Sequence, residues 1–200
     1  MSSHIEVELK WILPPARLSE VQDLLTCHLG QARILNQDNR YYDSRDGRLQ
    51  QQGCALRIRR ENQQLLCTWK ECLCLCHAGI HEHRETNISL AMALWPFVCY
   101  SSESITQFVP LPDGLGPLLG GQDLMMIGAF SNQRLEFSHQ GDLLHLDRTT
   151  FPNGQVETEL EIESTQPEVA AAYWRGILAS LGIDPVPQPA TKLQRMRFHR

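Results

Sequence analysis

The sequence predicts an α+β protein centred on a closed antiparallel β-barrel of about eight strands, lined with charge and flanked outside by helices. Three observations predict it. Residues 4–11 alternate strictly: Ile5, Val7, Leu9 and Trp11 share one face while His4, Glu6, Glu8 and Lys10 share the other, because successive strand side chains point to opposite sides. The same alternation returns near the far end, where Glu157, Glu159, Glu161 and Glu163 face away from Val156, Thr158, Leu160 and Ile162. Between these two stretches lie further alternating segments and few helices, and antiparallel strands of consistent facing remove their edges by closing.

Taken in order, Pro14 and Pro15 end the first strand and suit the first turn of a helix. Leu18, Val21, Leu25 and Leu29 then recur at helical spacing before Gly30. A strand over 34–43 ends on Tyr41 and Tyr42, and residues 44–47 make a turn. The next strand, 53–61, places Arg57 and Arg59 on one face and Leu56 and Ile58 on the other. Asn62 and Gln63 turn it into a strand over 64–72, where Thr68 and Lys70 face away from Cys67 and Trp69. Such a hairpin gathers cations on one face, and they repel unless an anion lies between them. His81, His83, Glu85 and Asn87 alternate with Glu82, Arg84 and Ile88, so both faces are polar and the facing of this strand stays open.

From 90 to about 128 the alternation dissolves among Trp95, Pro96, Pro110, Pro112, Gly120 and Gly121. The expectation is a long connection with one or two short helices, of the kind that serves as a lid. Strands then return: Asn132, Arg134 and Glu136 alternate with Leu135 and Phe137, and His145 and Asp147 with Leu144, Leu146 and Arg148. Pro152-Asn153-Gly154 turns into the strand at 156–163. A helix over 167–181 places Val169, Tyr173, Ile177 and Leu181 on one side and ends at Gly182. A proline-rich stretch, 185–189, leads to a last helical turn that displays Lys192 and Arg195 three apart.

Two hundred residues, 42% hydrophobic and 20% charged, fit one domain over 1–200 with a real core. The formal net charge of -5 argues against coating nucleic acid, while leaving room for a local basic pocket. No run approaches the roughly 18 apolar residues of a membrane span, and the N-terminus lacks the basic and apolar regions of a signal peptide. A cytoplasmic protein without a membrane partner is expected. Seven cysteines, an odd number without export signals, read as free thiols. Cys72, Cys74 and Cys76 followed by His77 invite zinc, but C-x-C-x-C is not the common C-x₂-C knuckle, and reduced cysteines at a strand end are preferred. His81 and His83 read as polar strand positions rather than metal ligands. There is no G-x-x-x-x-G-K-[ST] loop and no G-x-S-x-G elbow, so P-loop and serine-hydrolase chemistry lack support.

Alternation alone leaves open which face is inside. With charge outside, this is an ordinary barrel with an apolar interior. With charge inside, it is a tunnel lined by Glu6, Glu8, Lys10, Arg57, Arg59 and Lys70, then by Glu85, Arg134, Asp147, Glu159, Glu161 and Lys192. The second is favoured, because Leu9, Trp11, Leu160 and Ile162 suit packing beneath amphipathic helices. So many buried charges cost heavily unless ligands compensate them. A polyanion with a divalent metal answers both signs: arginine and lysine clamp phosphate oxygens, and clustered carboxylates hold hard cations that themselves bind phosphate.

On these residues the chain resembles the CYTH-domain proteins, the triphosphate tunnel metalloenzymes. The likeness starts at Glu6-x-Glu8-x-Lys10 and runs in order through Tyr41-Tyr42-Asp43, Leu56-Arg57-Ile58-Arg59, Trp69-Lys70, Arg134-x-x-Phe137, Leu146-Asp147, Glu157-x-Glu159-x-Glu161 and Thr191-Lys192. Glu-x-Glu-x-Lys alone is weak; the ordered series over nearly the whole chain is specific. The resemblance implies a tunnel that binds a triphosphate with Mg²⁺ or Mn²⁺. It implies Glu6, Glu8, Glu159 and Glu161 as metal ligands with Asp147 beside them, and Lys10, Arg57, Arg59, Lys70, Arg134 and Lys192 as grips on phosphate oxygens. Lys10 and Glu157 are the implied catalytic residues, Lys10 for charge in the transition state and Glu157, or a second metal in its place, for the attacking water.

The implied activity is metal-dependent hydrolysis of a small-molecule triphosphate, inorganic triphosphate first. Thiamine triphosphatase, class IV adenylyl cyclase and a non-catalytic triphosphate or polyphosphate sensor are the alternatives, and a homodimer stays open. Two residues depart from the family pattern. Asn132 stands where a basic residue often precedes Arg134, and His83 stands where an arginine often precedes the fifth-strand Glu85. A half-charged histidine clamps phosphate more weakly.

Overall fold

In the computed structural model the described residues are 2–73, 79–100 and 104–196. Eight strands close on themselves: β1 (Ser2–Leu13), β2 (Arg33–Asp43), β3 (Cys54–Glu61), β4 (Gln64–Cys72), β5 (Ile80–Leu90), β6 (Met125–His139), β7 (Asp142–Thr150) and β8 (Val156–Glu163). Their order around the barrel is β5-β4-β3-β2-β6-β7-β8-β1, and β1 pairs back onto β5. All of these pairings are antiparallel. A two-residue strand, β9 (Val186–Pro187), adds to β1 at Trp11 and Ile12. The helices are α1 (Leu18–Leu29), α2 (Arg48–Gln51), α3 (Trp95–Tyr100), α4 (Leu115–Leu119), α5 (Pro167–Ala179) and α6 (Lys192–Met196).

Local signals act where the sequence placed them. Gly30, at φ 85, ends α1 and donates its N–H to Thr26 O at 2.9 Å. Asn62 takes the left-handed conformation, φ 50, at the β3–β4 turn. Its side chain ties that turn to β2, accepting from the Asn36 N–H at 3.0 Å and donating to Ile34 O at 3.1 Å.

The apolar faces of the strands point outward and the charged faces inward. On one flank Leu9, Trp11, Leu144, Leu146, Leu160 and Ile162 pack beneath Val21 and Leu25 of α1 and Trp174 and Leu178 of α5. Each such side chain, fully buried, contributes about 1.5–3 kcal/mol. On the other flank Leu56, Ile58, Cys67 and Trp69 pack beneath Val98, Ile105, Val109 and Leu115.

Three expectations are corrected. The 90–128 connection ends sooner than expected, since its last residues already belong to β6; α3 and α4 are the two short helices foreseen, accompanied by two 3₁₀ turns, and the residues that contribute to this second core clad the outer wall of β2, β3 and β4. The buried stripe of α5 is Ala170, Trp174 and Leu178 rather than Val169, Tyr173 and Ile177. Both stripes have i, i+4 spacing, but turning the larger Trp174 inward removes more apolar surface from water, and the small Ala170 lets the helix approach; Tyr173 stacks on His139 with ring centroids 5.3 Å apart. Finally, the apolar face of β1 is covered only from Leu9 onward, and Ile5 is 59% exposed. Among the described residues, Cys27, Cys54, Cys67, Cys72 and Cys99 are free thiols, and no helix is long and apolar enough to cross a membrane. Cys74, Cys76 and His77 lie outside the described residues.

Candidate active site

Strand register builds one wall of the tunnel from carboxylates. Asp147 pairs with Glu159 across β7 and β8, and Glu161 pairs with Lys10 across β8 and β1. Asp147, Glu159 and Glu161 are buried, and each offers an oxygen within 4.8 Å of the others. From α6, Lys192 places its Nζ 2.8 Å from Asp147 Oδ2 and 2.8 Å from Glu161 Oε1, in contact with Glu159 as well. One turn on, Arg195 donates to Glu157 at 2.7 Å and to Glu159 at 2.6 Å. Arg134 closes the wall with two parallel bonds to Asp147, at 2.8 and 2.7 Å, and a third to Glu161. Burial opposes the charge on Asp147, but Arg134 and Lys192 outweigh it and hold the carboxyl well below its usual range.

The wall continues onto β1. Lys10 lies 2.8 Å from Glu8 and 3.4 Å from Glu161, so it bridges the two acidic groups. Burial disfavours the Glu8 carboxylate, yet Lys10 and Lys70 hold its pKa well below normal. Lys70 lies 2.5 Å from Glu6 and 2.7 Å from Glu85. His83 faces inward, 3.8 Å from Glu8, and burial with Lys70 beside it pushes its pKa down to about 4. At neutral pH His83 is therefore uncharged and clamps no anion by charge. Glu163 meets Glu6, and burial together with the Glu6 carboxylate pushes its pKa up to about 9.

Opposite the acidic wall stand guanidinium groups. Arg59 donates to Asn39 Oδ1 at 2.8 Å. Burial, then the positive charges of Arg57 and Arg134, push its pKa down to about 9. Arg57 Nε is buried without a hydrogen-bond partner among the described residues. Beyond them Tyr41 stacks on Phe130 at 5.6 Å, and Phe151 and Met196 complete an apolar cluster.

All the sequence-predicted site residues thus face one tunnel, but in separate groups. Asp147, Glu159, Glu161, Lys192 and Arg134 form one cluster; Glu6, Glu85 and Lys70 form a second; Glu8 and Lys10 join them; Arg57 and Arg59 stand across from them. Three participants went unassigned in the sequence. Glu163 was legible, since it continues the alternation of β8. Arg195 was visible only as a basic C-terminal residue. His145, which accepts from Arg134 at 2.9 Å and lies 3.4 Å from Glu136, shared the alternating face of Asp147 but was given no role.

The model of the CYTH domain matches residues 4–184. The chain belongs to the CYTH domain family. The matched span of this CYTH protein ends before α6, so Lys192 and Arg195 are contributed from outside it. A Bacillus subtilis (strain 168) protein named "Putative triphosphatase YjbK" is 27% identical over 200 residues, which is all of this chain and 96% of that protein. Among solved structures, HpAC1 from Hippeastrum superposes with a TM-score of 0.81 at 22% identity, covering 96% of this chain and 95% of that one; the likeness is one of fold. It is described as a "putative adenylyl cyclase" with a dominant triphosphatase activity. A "putative adenylate cyclase" from Bacillus halodurans gives a TM-score of 0.74 at 27% identity, covering 98% of each chain.

Proposed function

We propose that this CYTH protein hydrolyses the terminal anhydride bond of a triphosphate, inorganic triphosphate first, with Mg²⁺ or Mn²⁺ as cofactor. One observation carries it: Arg134 holds Asp147 and Glu161 while crowding Arg59, so a carboxylate cluster and a guanidinium cluster share one closed space. A metal-bound polyphosphate satisfies both clusters, and neither a metal nor a phosphate alone would.

The residues fit a hard divalent cation. Every donor in the cluster is a carboxylate oxygen. The chain's own cation, Lys192, already sits among the three carboxylates, which marks the place as suited to positive charge. Asp147, Glu159 and Glu161 would hold the ion, with Glu6 and Glu8 as further ligands. The metal supplies charge neutralisation on the phosphate oxygens.

The chain's own groups do the rest. Arg57, Arg59, Lys70 and Lys192 bind and orient phosphate oxygens, with Arg134 fixing the carboxylates and facing the same anion. Lys10 neutralises charge spreading onto the transferred phosphoryl group and the leaving oxygen. Glu157 orients a water and takes its proton as the water oxygen bonds to the terminal phosphorus, the bridging P–O bond breaks and diphosphate leaves. The expected partner is a small-molecule triphosphate in the cytoplasm, with no nucleic acid or membrane involved.

The Bacillus halodurans relative's name raises the cyclase alternative, in which a ribose hydroxyl replaces water. The aromatic cluster of Tyr41, Phe130 and Phe151, which would suit a purine, is packed shut by Met196, and this favours water. The test is phosphate release from inorganic triphosphate, thiamine triphosphate and ATP in parallel, with Mg²⁺, Mn²⁺ or chelator, while cyclic AMP is monitored from ATP. Metal-dependent release is expected. No release and no melting shift with triphosphate would remove the tunnel as a site.

A further inference from the structure

Glu157, Glu159 and Glu161 share one face of β8, and alternation alone gives them the same standing. The structure separates them. Among the described residues, the carboxylates whose oxygens lie within 4.8 Å of one another are Asp147, Glu159 and Glu161, and Glu157 is not one of them. Its Oε2 accepts from Arg195 Nε at 2.7 Å, while Arg195 Nη2 donates to Glu159 Oε2 at 2.6 Å. One planar guanidinium therefore spans the last member of the cluster and the carboxylate next to it.

The fork is itself held in place. Its third arm, Nη1, donates to Ala190 O at 2.6 Å. Helix α6 has only five residues, far fewer than a helix needs to stand alone, so its position depends on what ties it down. Thr191 and Gln194 cap it reciprocally: the Thr191 N–H donates to Gln194 Oε1 at 2.8 Å, and the Gln194 N–H donates to Thr191 Oγ1 at 3.2 Å. Just before it, His81 Nε2 donates to Gln188 O at 2.9 Å. Met196, next to Arg195, is buried in the cluster with Tyr41, Phe130 and Phe151. Arg195, 7% exposed, thus reaches the carboxylates from a fixed support.

The two oxygens of Glu159 divide the work. Lys192 contacts Oε1 and Arg195 takes Oε2, so a metal ion can replace Lys192 without disturbing the Arg195 bond. Glu157 lies two residues away on the same face, about 7 Å along the strand. Without the fork its charge loses the Arg195 partner, and the cation site is within its reach. A fourth carboxylate would raise the ligand charge, and with it the affinity for a divalent ion. It would also cost the base, because a ligating carboxylate is held deprotonated and takes a proton poorly.

We infer that Arg195 is a positioning residue that keeps Glu157 out of the cation cluster and aims it at the attacking water. This rests on the triphosphatase reading above, in which Glu157 takes the water's proton. Arg195 touches neither phosphate nor metal in this role; it decides which of the β8 carboxylates is a ligand and which is a base.

The experiment uses the full chain with Arg195→Lys, Arg195→Gln, Glu157→Gln, and Arg195→Gln combined with Glu157→Gln. Mn²⁺ binding is measured by calorimetry without substrate, and kcat and KM for inorganic triphosphate at saturating Mn²⁺. Arg195→Lys keeps the charge and loses the fork, so a change in it reports a released carboxylate and not a missing cation. It is expected to bind Mn²⁺ at least threefold tighter and to lower kcat about tenfold or more, as loss of an orienting partner does, with KM within threefold of the wild type. The double variant is expected to turn over no more slowly than Glu157→Gln alone, because Arg195 acts through Glu157. Arg195→Gln carries the binding and kinetic tests if the lysine variant does not fold. Folded variants that bind Mn²⁺ no tighter than the wild type, a raised KM with kcat unchanged, or losses of kcat that multiply in the double variant overturn the inference and leave the triphosphatase assignment standing. A wild-type protein that neither binds nor hydrolyses triphosphate overturns both.

Discussion

The ammonium of Lys192 lies 2.8 Å from Asp147 Oδ2, with Glu159 and Glu161 against it as well. A side chain from the last helix thus fills the middle of a carboxylate cluster built by β7 and β8. Metal and lysine compete for the same oxygens, which yields the first prediction. Lys192→Met leaves three buried carboxylates short of one counter-charge, and breaking one partner out of a buried ion cluster costs about 3–5 kcal/mol. The variant should melt well below the wild type in chelator, and Mn²⁺ should raise its melting temperature by more than it raises the wild type's. Equal Mn²⁺ shifts in the two proteins would separate Lys192 from the metal site.

Glu8 supplies the second prediction. Its carboxylate is held ionised by Lys10 and Lys70 against the cost of burial. Glu8→Gln keeps the shape and removes the charge, so triphosphate hydrolysis should fall at least a hundredfold, a loss of about 2.7 kcal/mol in transition-state stabilisation. The far-UV spectrum should be unchanged. Near-normal turnover would take Glu8 out of the site.

Glu163 sets a third, through pH. Its pKa stands at about 9 in the folded protein, raised from 4.5 by burial and by Glu6. Between those two values the folded chain keeps a proton that the unfolded chain has lost. Linkage then makes this group's contribution to stability fall as pH rises across the window, by at most about 1.4 kcal/mol per pH unit. Glu163→Gln keeps the neutral form at every pH, so its urea midpoint, measured in chelator from pH 5.5 to 8.5, should decline less than that of the wild type. Parallel profiles would show that Glu163 is ionised throughout.

Much of this site was legible because strand alternation has period two. Once Glu6, Glu8 and Lys10 share a face, Leu9 and Trp11 must share the other, and the outward apolar faces then fix the charges inside. What alternation cannot carry is contact across the barrel. Lys70 meets Glu6 and Arg195 meets Glu159 only because β1 closes onto β5 and α6 enters the barrel, and no local pattern encodes closure. The α5 face failed for a related reason: two stripes had the same spacing, and the choice between them was made by Trp174 fitting against Trp11 and its neighbours. Between residues 90 and 124 the helices are short and irregular, so neither period appears.

The last prediction concerns how the Lys10 backbone is held. Gly79, at φ +82, accepts the Lys10 N–H at 2.9 Å, and the Gln188 N–H donates to Lys10 O at 2.8 Å. A Cβ on Gly79 would stand 2.9 Å from Lys10 O and 3.0 Å from the Pro187 side chain, both parts of rigid backbone or ring. Gly141 has a similar φ of +96 with nothing within 4 Å of its Cβ position. Alanine at either site suffers the left-handed strain of about 1–2 kcal/mol. Only alanine at 79 also pushes on the strand that carries Lys10 and on β9, where overpacking adds about 1–3 kcal/mol. Gly79→Ala should therefore lower the melting temperature more than Gly141→Ala does, and it alone should lower kcat for triphosphate, because Lys10 moves with its carbonyl. Equal losses of stability with full activity in both would mean that the contact at Gly79 is absorbed without moving Lys10.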